Sequence, residues 1–546
     1  MNKPENFARS GQIVDIVNKK IFPGIVLVKD GKVSMIHNED SPADRFIIPG
    51  FIDAHIHIES SMLIPSEFAR LAVIHGTVAT VSDPHEIANV MGVDGVRFMI
   101  ENGKKVPFKF YFGAPSCVPA TPFETAGASL GPEEIEELLQ MDEVKYLSEM
   151  MNFPGVLNSD PQVKAKLAVA EKYHKPVDGH APGLLADAAA AYIHAGISTD
   201  HECFTLEEAL DKAFNGMYVQ IREGSAAKNF DDLIPVMGKY PERVMFCSDD
   251  RHPNDLAKNH VNDHVRRAVA AGFDPITVLR ACTLHPVRHY KLDVGLLREG
   301  DPADFIIVDN LKDFNVMETV IGGITVAKNG QSLIKSVKEV PINKFNTRPL
   351  KEDEIQVMSS GNMLAVIRAL DGQLVTERIL DLVREIGDKL DSSIDKDILK
   401  LVVYNRYNHA KPAVAFINHF GLKRGAIASS VAHDSHNIIA VGTNDGEICR
   451  AINLLVKSKG GVSLVNGTEE MLLPLPVAGL MSNRDAFEVA EQYDAIDKAA
   501  KALGSTLRAP YMTLSFMALL VIPDIKLSDK GLFDGKKFEF IPLMTS

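Results

Sequence analysis

The sequence contains few cysteines and no long hydrophobic run, and these two absences restrict the kind of protein it can be. Its five cysteines are an odd number, are widely spread and include no C-x-x-C pair. This pattern excludes a disulfide framework and a zinc ribbon and favours a reducing cytoplasm. The longest apolar stretches, such as residues 517–522, fall well short of the ~20 residues that a membrane span needs. Because the N-terminal stretch MNKPENFARSGQ is too polar for a signal peptide, we expect a cytoplasmic protein without membrane association.

An excess of basic residues is also absent. The chain has 58 Lys and Arg against 72 Asp and Glu, a net charge of −14, and no block of Lys or Arg. Such a chain repels polyanions, which excludes nucleic acid as the main partner. The remaining composition, 46% apolar and 24% charged, is typical of globular proteins, and a length of 546 residues predicts more than one domain.

The middle of the chain has the pattern of an α/β barrel. Helix-like segments such as residues 132–140 alternate with short apolar runs, at residues 77–83, 106–115, 144–150, 176–180, 196–202, 217–223 and 243–250. This alternation predicts parallel βαβ units, and eight of them suit a TIM-like (β/α)8 barrel, whose active site lies at the carboxyl ends of the strands.

Two similar hairpins flank this region, and a further domain follows. Asp30-Gly31 and Asn329-Gly330 are turn signals between β-rich runs, so we expect one small β-domain in two segments, interrupted by the barrel. The polar stretch NTRPLKEDE (residues 346–354) marks the start of a C-terminal α+β domain. The predicted bounds are 1–48 and 293–345 for the β-domain, 49–292 for the barrel and 346–546 for the last domain.

The most specific motif is IPGFIDAHIHIESSM, residues 48–62, in which two histidines end an apolar run. Side chains two apart on a strand point to the same side, so His55 and His57 can face one metal ion. Taken alone, such a pair is as often two histidines in ordinary hydrogen bonds.

Four further residues of ligand type end later apolar runs. These are Glu149, His180, His201 and Asp249. Each could be a structural hydrogen-bond partner, but six nitrogen and oxygen ligands at one barrel mouth can hold two divalent ions with a carboxylate between them. Adjacency alone does not decide between Asp249 and Asp250; we favour Asp249, which directly follows the apolar run and Ser248.

Through these and further motifs the chain resembles the amidohydrolase superfamily and, within it, the adenine deaminase family. The first likeness rests on residues 48–62, on TLHPVRHY and on VGLLREGDPADFIIVD; the second rests on SDPHEIANVMG, SEMMNFPGV, GHAPG, STDHE, IREGS, SDDRHP and SSVAHDSHNI. The resemblance covers nearly the whole chain. It implies hydrolytic deamination of free adenine to hypoxanthine and ammonia, as in purine salvage.

The resemblance also implies roles for the ligand residues. His55 and His57 would bind one ion, His180 and His201 the second, and Glu149 would bridge them. Asp249 would complete the first site and transfer a proton from the attacking hydroxide to the leaving amine. Nitrogen and oxygen ligands without thiolate suit Mn, Fe or Zn; the family favours Mn²⁺, with Fe²⁺ or Zn²⁺ as alternatives, and a homodimer or higher homo-oligomer.

The residues that contact the purine are less constrained by sequence. Related deaminases place a Glu three positions after the strand-five histidine, where this chain has Gly183. The acid that protonates ring N1 must therefore be another residue, with Glu86, Glu202 and Glu223 as candidates. Substrate contacts are expected from residues after predicted strands and from the HDSHN segment of the C-terminal domain, which covers the active site in this family. They are Asp83, His85, Glu86, Arg222, Ser225, Asp434 and His436.

Three other functions fit parts of this pattern. Another amidohydrolase that cleaves a cyclic or acyl amide would use the same ligands, although the SDPHE and HDSHN segments argue against it. A non-catalytic scaffold should show broken ligand positions, whereas all six are intact. The zinc deaminases that edit nucleic acids need a P-C-x-x-C motif, which this chain lacks.

Overall fold

The computed structural model describes residues 4–40, 44–383 and 388–545. The first three residues of the polar N-terminal stretch lie outside these ranges. Among the described residues, no helix has the length and apolar character needed to cross a bilayer. All five cysteines are described; each is buried and none is in a disulfide.

A ring of parallel strands forms the central layer. Its eight strands, numbered β1 to β8 in chain order, are Phe51–His57, Thr77–Ser82, Lys109–Ala114, Val144–Met150, Val177–Gly179, Thr199–Asp200, Tyr218–Arg222 and Val244–Cys247. β1 to β5 pair in chain order, as do β6 to β8, and a bridge between Val177 and Ile197 links the two arcs. The short strand Asp249–Asp250 follows β8 and pairs with β1. This arrangement confirms the predicted TIM-like barrel.

Helices surround these strands and bury their apolar faces against them. The helix Leu206–Phe214 is an example: Ala209 and Ala213 face the core, and Thr205 caps the helix by accepting a hydrogen bond from the Glu208 amide at 3.3 Å. The α-helices of this region are Pro65–Ala72, His85–Met91, Val93–Gly103, Pro132–Leu139, Phe153–Leu157, Pro161–Lys172, Ala186–His194, Leu206–Phe214, Phe230–Leu233, Pro253–Leu256, Val261–Ala270, Pro275–Ala281 and Leu284–Tyr290.

A second sheet combines the segments before and after the barrel. In spatial order its strands are Gln331–Ser332, Ile324–Lys328, Val316–Ile321, Phe305–Val308, Phe46–Pro49, Phe7–Asp15, Lys20–Lys29 and Lys32–Asn38. Asp30 and Gly31 have φ values of 50° and 80°, which is the left-handed geometry that a two-residue hairpin turn requires. The pairing of Phe305–Val308 with Phe46–Pro49 joins the two segments.

The C-terminal region is built around a mostly antiparallel sheet. Its strands in spatial order are Thr376–Leu382, Met363–Ala369, Ala413–Asn418, Ile398–Tyr404, Ile438–Gly442, Ala426–Ser429, Gly461–Asn466 and Glu469–Pro474, with Met544–Thr545 beside Met363–Ala369. The smaller sheets are Ile525–Ser528, Gly531–Asp534 and Glu539–Phe540, and Val357–Met358 with Lys389–Leu390. Its α-helices are Asp445–Ser458, Ala486–Ala502 and Pro510–Phe516.

This region packs against the carboxyl ends of the barrel strands. The Thr125 amide donates to Asp529 at 2.9 Å, and the Asn437 side chain donates to the Thr125 carbonyl at 2.9 Å. The buried Lys526 ammonium donates to the carbonyls of Leu374, at 2.6 Å, and Phe516, at 3.0 Å. These contacts hold loops of the C-terminal region beside the barrel mouth.

Candidate metal centre and active site

Six side chains from five places in the barrel meet at its mouth. His55 and His57 lie at the end of β1, Glu149 lies near the end of β4, and His180 and His201 directly follow β5 and β6. Asp249 opens the short strand after β8. All six are buried. They converge because the carboxyl ends of parallel strands share one face of a barrel.

The Glu149 carboxylate lies between two groups of histidines. Its Oε1 is 3.4 Å from His57 Nε2, whereas its Oε2 is 2.7 Å from His180 Nδ1 and 3.1 Å from His201 Nε2. Each carboxylate oxygen therefore faces a different set of imidazoles. This is the geometry that a carboxylate between two cations requires.

The first group is completed by Asp249. His55 Nε2 and His57 Nε2 are 3.2 Å apart, and Asp249 Oδ1 lies 3.8 Å from the first and 3.4 Å from the second. Two imidazole nitrogens and a carboxylate oxygen that converge in this way form a donor set suited to a divalent cation. The three residues are one of several groups in the described chain whose ligand atoms are close enough to hold a metal ion.

Asp250, the alternative to Asp249, has a different partner. Its Oδ1 accepts a hydrogen bond from the Ser60 hydroxyl at 2.5 Å. The structure therefore directs Asp249, and not Asp250, toward the β1 histidines. Asp249 has a φ of 57°, so the backbone turns sharply at the residue that points its carboxylate into the cluster.

Arg222, at the end of β7, holds two carboxylates of the cluster. Its guanidinium donates to Asp249 Oδ2 at 2.8 Å and to both oxygens of Glu202, with 2.9 Å between Nη2 and Oε2. Burial acts to raise the pKa of Asp249, but the charge of Arg222 and the neighbouring histidines lower that pKa well below its usual value. Arg222 was expected to contact the substrate, whereas the structure places its guanidinium on these two carboxylates.

Burial likewise acts to raise the pKa of Glu149. The charges of His180 and His201 oppose it and lower that pKa well below its usual value. The carboxylates at the centre of the cluster are thus held in the anionic form that binds cations.

A buried hydrogen-bond network behind the cluster ties β1 to β8. Asp53 Oδ1 accepts from the backbone amides of His55, at 3.3 Å, and Ser248, at 3.0 Å, and its Oδ2 lies 2.8 Å from His260 Nε2. Because Ser248 precedes Asp249, this network sets the spacing of two ligand-bearing strands. The sequence analysis missed Asp53 and His260, although a buried aspartate inside FIDAHIH was an available signal.

The SDPHE segment, residues 82–86, contacts the same cluster. His85 Nδ1 is 3.3 Å from Glu149 Oε1 and 3.3 Å from Asp83 Oδ2. His57, Asp83, His85 and Glu149 together form another group with metal-binding spacing. His85, expected at the substrate, is thus also placed to touch a bound ion.

A cavity lies beside the cluster, and residues of the C-terminal region line it together with residues of the cluster. Those of the C-terminal region are Leu374, His433, Asp434, Phe516 and Leu519. The carboxylate of Glu86 lies between two histidines of that region: its Oε1 is 2.5 Å from His433 Nδ1, and its Oε2 contacts His436 Nε2. Asp434 Oδ1 is 3.8 Å from His85 Nε2. His433 belongs to the HDSHN segment that was expected to cover the site, but it was not among the expected substrate contacts, and Phe516 was not predicted.

The sequence-based candidates Ser225 and Glu223 are not brought to this cavity. The Ser225 hydroxyl donates to Asp255 at 2.8 Å and accepts from the His252 amide at 2.9 Å. Glu223 pairs with Arg267 at 2.8 Å. Neither residue lines the cavity, because the chain turns away after Arg222. The expectation of substrate contact for Ser225 and of N1 protonation by Glu223 is therefore not supported by this geometry.

Comparison with known proteins links both parts of the cavity to described families. A model described as "Amidohydrolase family" matches residues 46–326, and one described as "Adenine deaminase C-terminal domain" matches residues 373–539. A protein named adenine deaminase from Sulfurovum sp. (strain NBC37-1) is 58% identical over 97% of this chain and 98% of the relative. Another of that name from Salinibacter ruber is 54% identical over 98% and 99%.

Solved structures also align with the chain. The β-aspartyl dipeptidase from Fervidobacterium islandicum AW-1 does so with a TM-score of 0.46 and 14% identity, covering 61% of this chain and 98% of that one.

Proposed function

Because the chain belongs to the adenine deaminase family of amidohydrolases, we propose that it hydrolyses free adenine to hypoxanthine and ammonia. The observation that carries this proposal is the shared cavity: the histidine and carboxylate cluster of the barrel and the HDSHN segment of the C-terminal region face the same space.

The chain's own donor set supports a centre of two divalent ions. His55, His57 and Asp249 would hold one ion, His180 and His201 would hold the second, and Glu149 would touch both. Because the set contains imidazole and carboxylate but no thiolate, it suits Mn²⁺, Fe²⁺ or Zn²⁺, and we propose Mn²⁺. When bound, such ions lower the pKa of a water ligand to about 7 and so make it nucleophilic at neutral pH.

We assign proton transfer at the reacting carbon to Asp249. It lies beside the β1 histidines and is oriented by Arg222. It would accept a proton from the water that adds to C6 and transfer it to the exocyclic amine, which leaves as ammonia. Glu202 lines the same cavity and is held by the same guanidinium. We assign to it a hydrogen bond from the purine.

The C-terminal region would close the site over the substrate. Asp434 faces His85 and has a second oxygen, Oδ2, with no hydrogen-bond partner in the described chain. This free acceptor is suited to a purine N–H. The domain bounds, the homodimer and the cytoplasmic location stay predictions.

The substrate assignment is tested with purified protein loaded with Mn²⁺. Incubation with adenine should release one ammonia and one hypoxanthine per adenine consumed, followed by ultraviolet absorbance and by an ammonia assay, and metal analysis should find two ions per chain. If the Mn²⁺-loaded protein releases no ammonia from adenine but opens a hydantoin or dihydropyrimidine ring, the substrate assignment is wrong and the proposed metal centre is retained.

A second test concerns the contribution of the HDSHN segment. Asp434→Ala and His436→Ala should each lower kcat/KM for adenine by ~10-fold or more, the scale of one lost orienting or acid-base contact. Metal content should stay unchanged, because neither residue is a ligand of the proposed ions.

The matched controls for this test are Asp395→Ala and His409→Ala, which change the same residue types at exposed positions of the same region. Both controls should retain the kinetics of the unaltered protein. If Asp434→Ala and His436→Ala also retain the kinetics of the unaltered protein, the segment has a purely structural role.

A further inference from the structure

His433 reaches the cavity from the C-terminal region and is fixed there by two contacts. Its Nδ1 is 2.5 Å from Glu86 Oε1, and its ring is stacked on Phe516 with centroids 4.4 Å apart and an angle of 14° between the planes. Both the ring and Phe516 line the cavity. The orientation of the imidazole is therefore set from two sides.

The second ring nitrogen of His433 has no partner. Nε2 is buried and makes no hydrogen bond within the described chain. Buried polar atoms of folded proteins are nearly always paired. Since the residue lines the cavity, Nε2 is the atom that a bound molecule would satisfy.

Two glutamates that line the cavity, Glu86 and Glu202, are engaged as acceptors. Glu86 lies between His433 and His436, and Glu202 accepts from Arg222 through both oxygens. Burial acts to raise the pKa of Glu86, but the charges of His433, His436 and His85 lower it well below its usual value. Glu86, held between two imidazoles, does not suit a carboxylic acid that must hold a proton and release it to a ring nitrogen.

We propose that His433 is the catalytic acid that protonates N1 of the purine, with Glu86 as the residue that positions its ring. This assignment rests on the proposed function, because it concerns the same cavity and the same reaction. The proposed acid is therefore an imidazolium, whereas the candidates from the sequence were carboxylic acids. Its proton transfer to N1 lets the aromatic ring accept electrons from the attacking water.

The groups that face His433 favour its protonated form. Burial acts to lower its pKa, but the charges of Glu86, Asp250 and Asp434 raise that pKa to about 9. Two neutral imidazoles, His436 and His252, are close enough for the charge of His433 to lower their own pKa values. A histidine with this pKa is charged at neutral pH and can still give up its proton.

The step balances in atoms and electrons. As the water oxygen bonds to C6, the C6–N1 π pair moves to N1 and takes the Nε2 proton of His433, while Asp249 takes one water proton. Asp249 then protonates the amine, the C6–N bond breaks, and ammonia leaves. The remaining hydroxyl proton restores the His433 imidazolium as the C6 carbonyl forms.

Two substitutions separate acid catalysis from hydrogen bonding. His433→Asn places an amide near Nδ1 and keeps the bond to Glu86, whereas His433→Gln places an amide near Nε2 and keeps a donor toward the substrate. Neither amide can transfer a proton. Both variants should therefore lose kcat by ~10²–10⁴-fold, with KM changed far less and with the metal content unaltered. His409→Gln, at an exposed site, is the matched control.

The pH profile supplies a second readout. Since the protonated form is the active one, kcat of the unaltered protein should decrease as pH rises through about 9. This decrease is the alkaline limb of the pH profile, and the residual activity of either variant should lack it. In protein labelled with [¹³Cε1]histidine, the His433 signal, identified by its absence in His433→Asn, should report an imidazolium at pH 7.5.

The outcomes distinguish this inference from the function on which it rests. Loss of activity in both variants together with loss of the alkaline limb supports it. Near-normal kcat in His433→Gln alone would show a hydrogen-bond donor and overturn the acid role, as would normal kcat in both variants or a neutral His433 at pH 7.5. A chain that releases no ammonia from adenine before any substitution would overturn the proposed function, and the acid role with it.

Discussion

Glu149→Gln should abolish most of the turnover and release at least one metal ion. The two oxygens of Glu149 face different histidines, at 3.4 Å from His57 Nε2 and 2.7 Å from His180 Nδ1. The amide keeps the shape of the side chain but replaces one anionic oxygen by an NH₂ group, which repels a cation. We expect kcat to fall by ~10³-fold or more, about the cost of losing a preorganised electrostatic contact. Metal analysis and adenine kinetics on the same preparation measure both effects.

Glu207→Gln is the matched control for this change. Glu207 is exposed in the first turn of the helix Leu206–Phe214, so the same loss of charge occurs outside the cavity and should leave metal content and turnover intact. Two ions per chain with near-normal turnover in Glu149→Gln would show that this carboxylate does not lie between the ions.

Arg222→Met should lower both stability and activity. Arg222 is fully buried and donates to Asp249 at 2.8 Å and to Glu202 at 2.9 Å. Removal of the guanidinium leaves two buried carboxylates without this partner, and breaking a buried pair in this way costs about 3–5 kcal/mol. Because Asp249 also loses its orientation, kcat should fall by ~10²-fold or more. Thermal unfolding and adenine kinetics measure the two losses.

The loss of stability in Arg222→Met should be larger in metal-free protein, since bound cations would offset part of the missing charge. Arg222→Lys is the control: it keeps the charge but loses the planar fork that reaches both carboxylates, so it should recover stability more than turnover. If Arg222→Met unfolds at the temperature of the unaltered protein, with or without metal, then Arg222 does not compensate the buried carboxylates.

Local pattern was enough to locate the elements and the histidines and carboxylates that converge at the barrel mouth. Residues 486–503 have apolar side chains at helical spacing, which predicts a helix with Gly504 as its C-cap. The observed helix is Ala486–Ala502, and the Asp485 side chain caps it by accepting from the Phe487 amide at 3.0 Å. His55 and His57 follow the two-residue period of a strand, and their ring nitrogens lie 3.2 Å apart. Such features depend on neighbours in the chain, because strand and helix periods decide which side chains share a face.

The loops after the strands could not be resolved by pattern. Asp249 and Asp250 are adjacent and chemically identical, and tertiary contacts separate them: Arg222 donates to Asp249, whereas Ser60 donates to Asp250. Ser225 is three residues beyond Arg222 in a polar segment, yet its hydroxyl bonds to Asp255. The direction of a loop side chain depends on packing around it, which has no period in the sequence.

The sequence by itself determined the barrel, the hairpins and the set of ligand-type residues, because each depends on short-range periodicity or on turn chemistry. Only the tertiary structure decided which distant groups complete the site. Glu86 and His433 are 347 positions apart and lie 2.5 Å from each other. No local signal joins them, because their contact depends on how the C-terminal sheet packs on the barrel mouth. That packing buries His433 at the barrel mouth and leaves its Nε2 without a hydrogen-bond partner among the described residues.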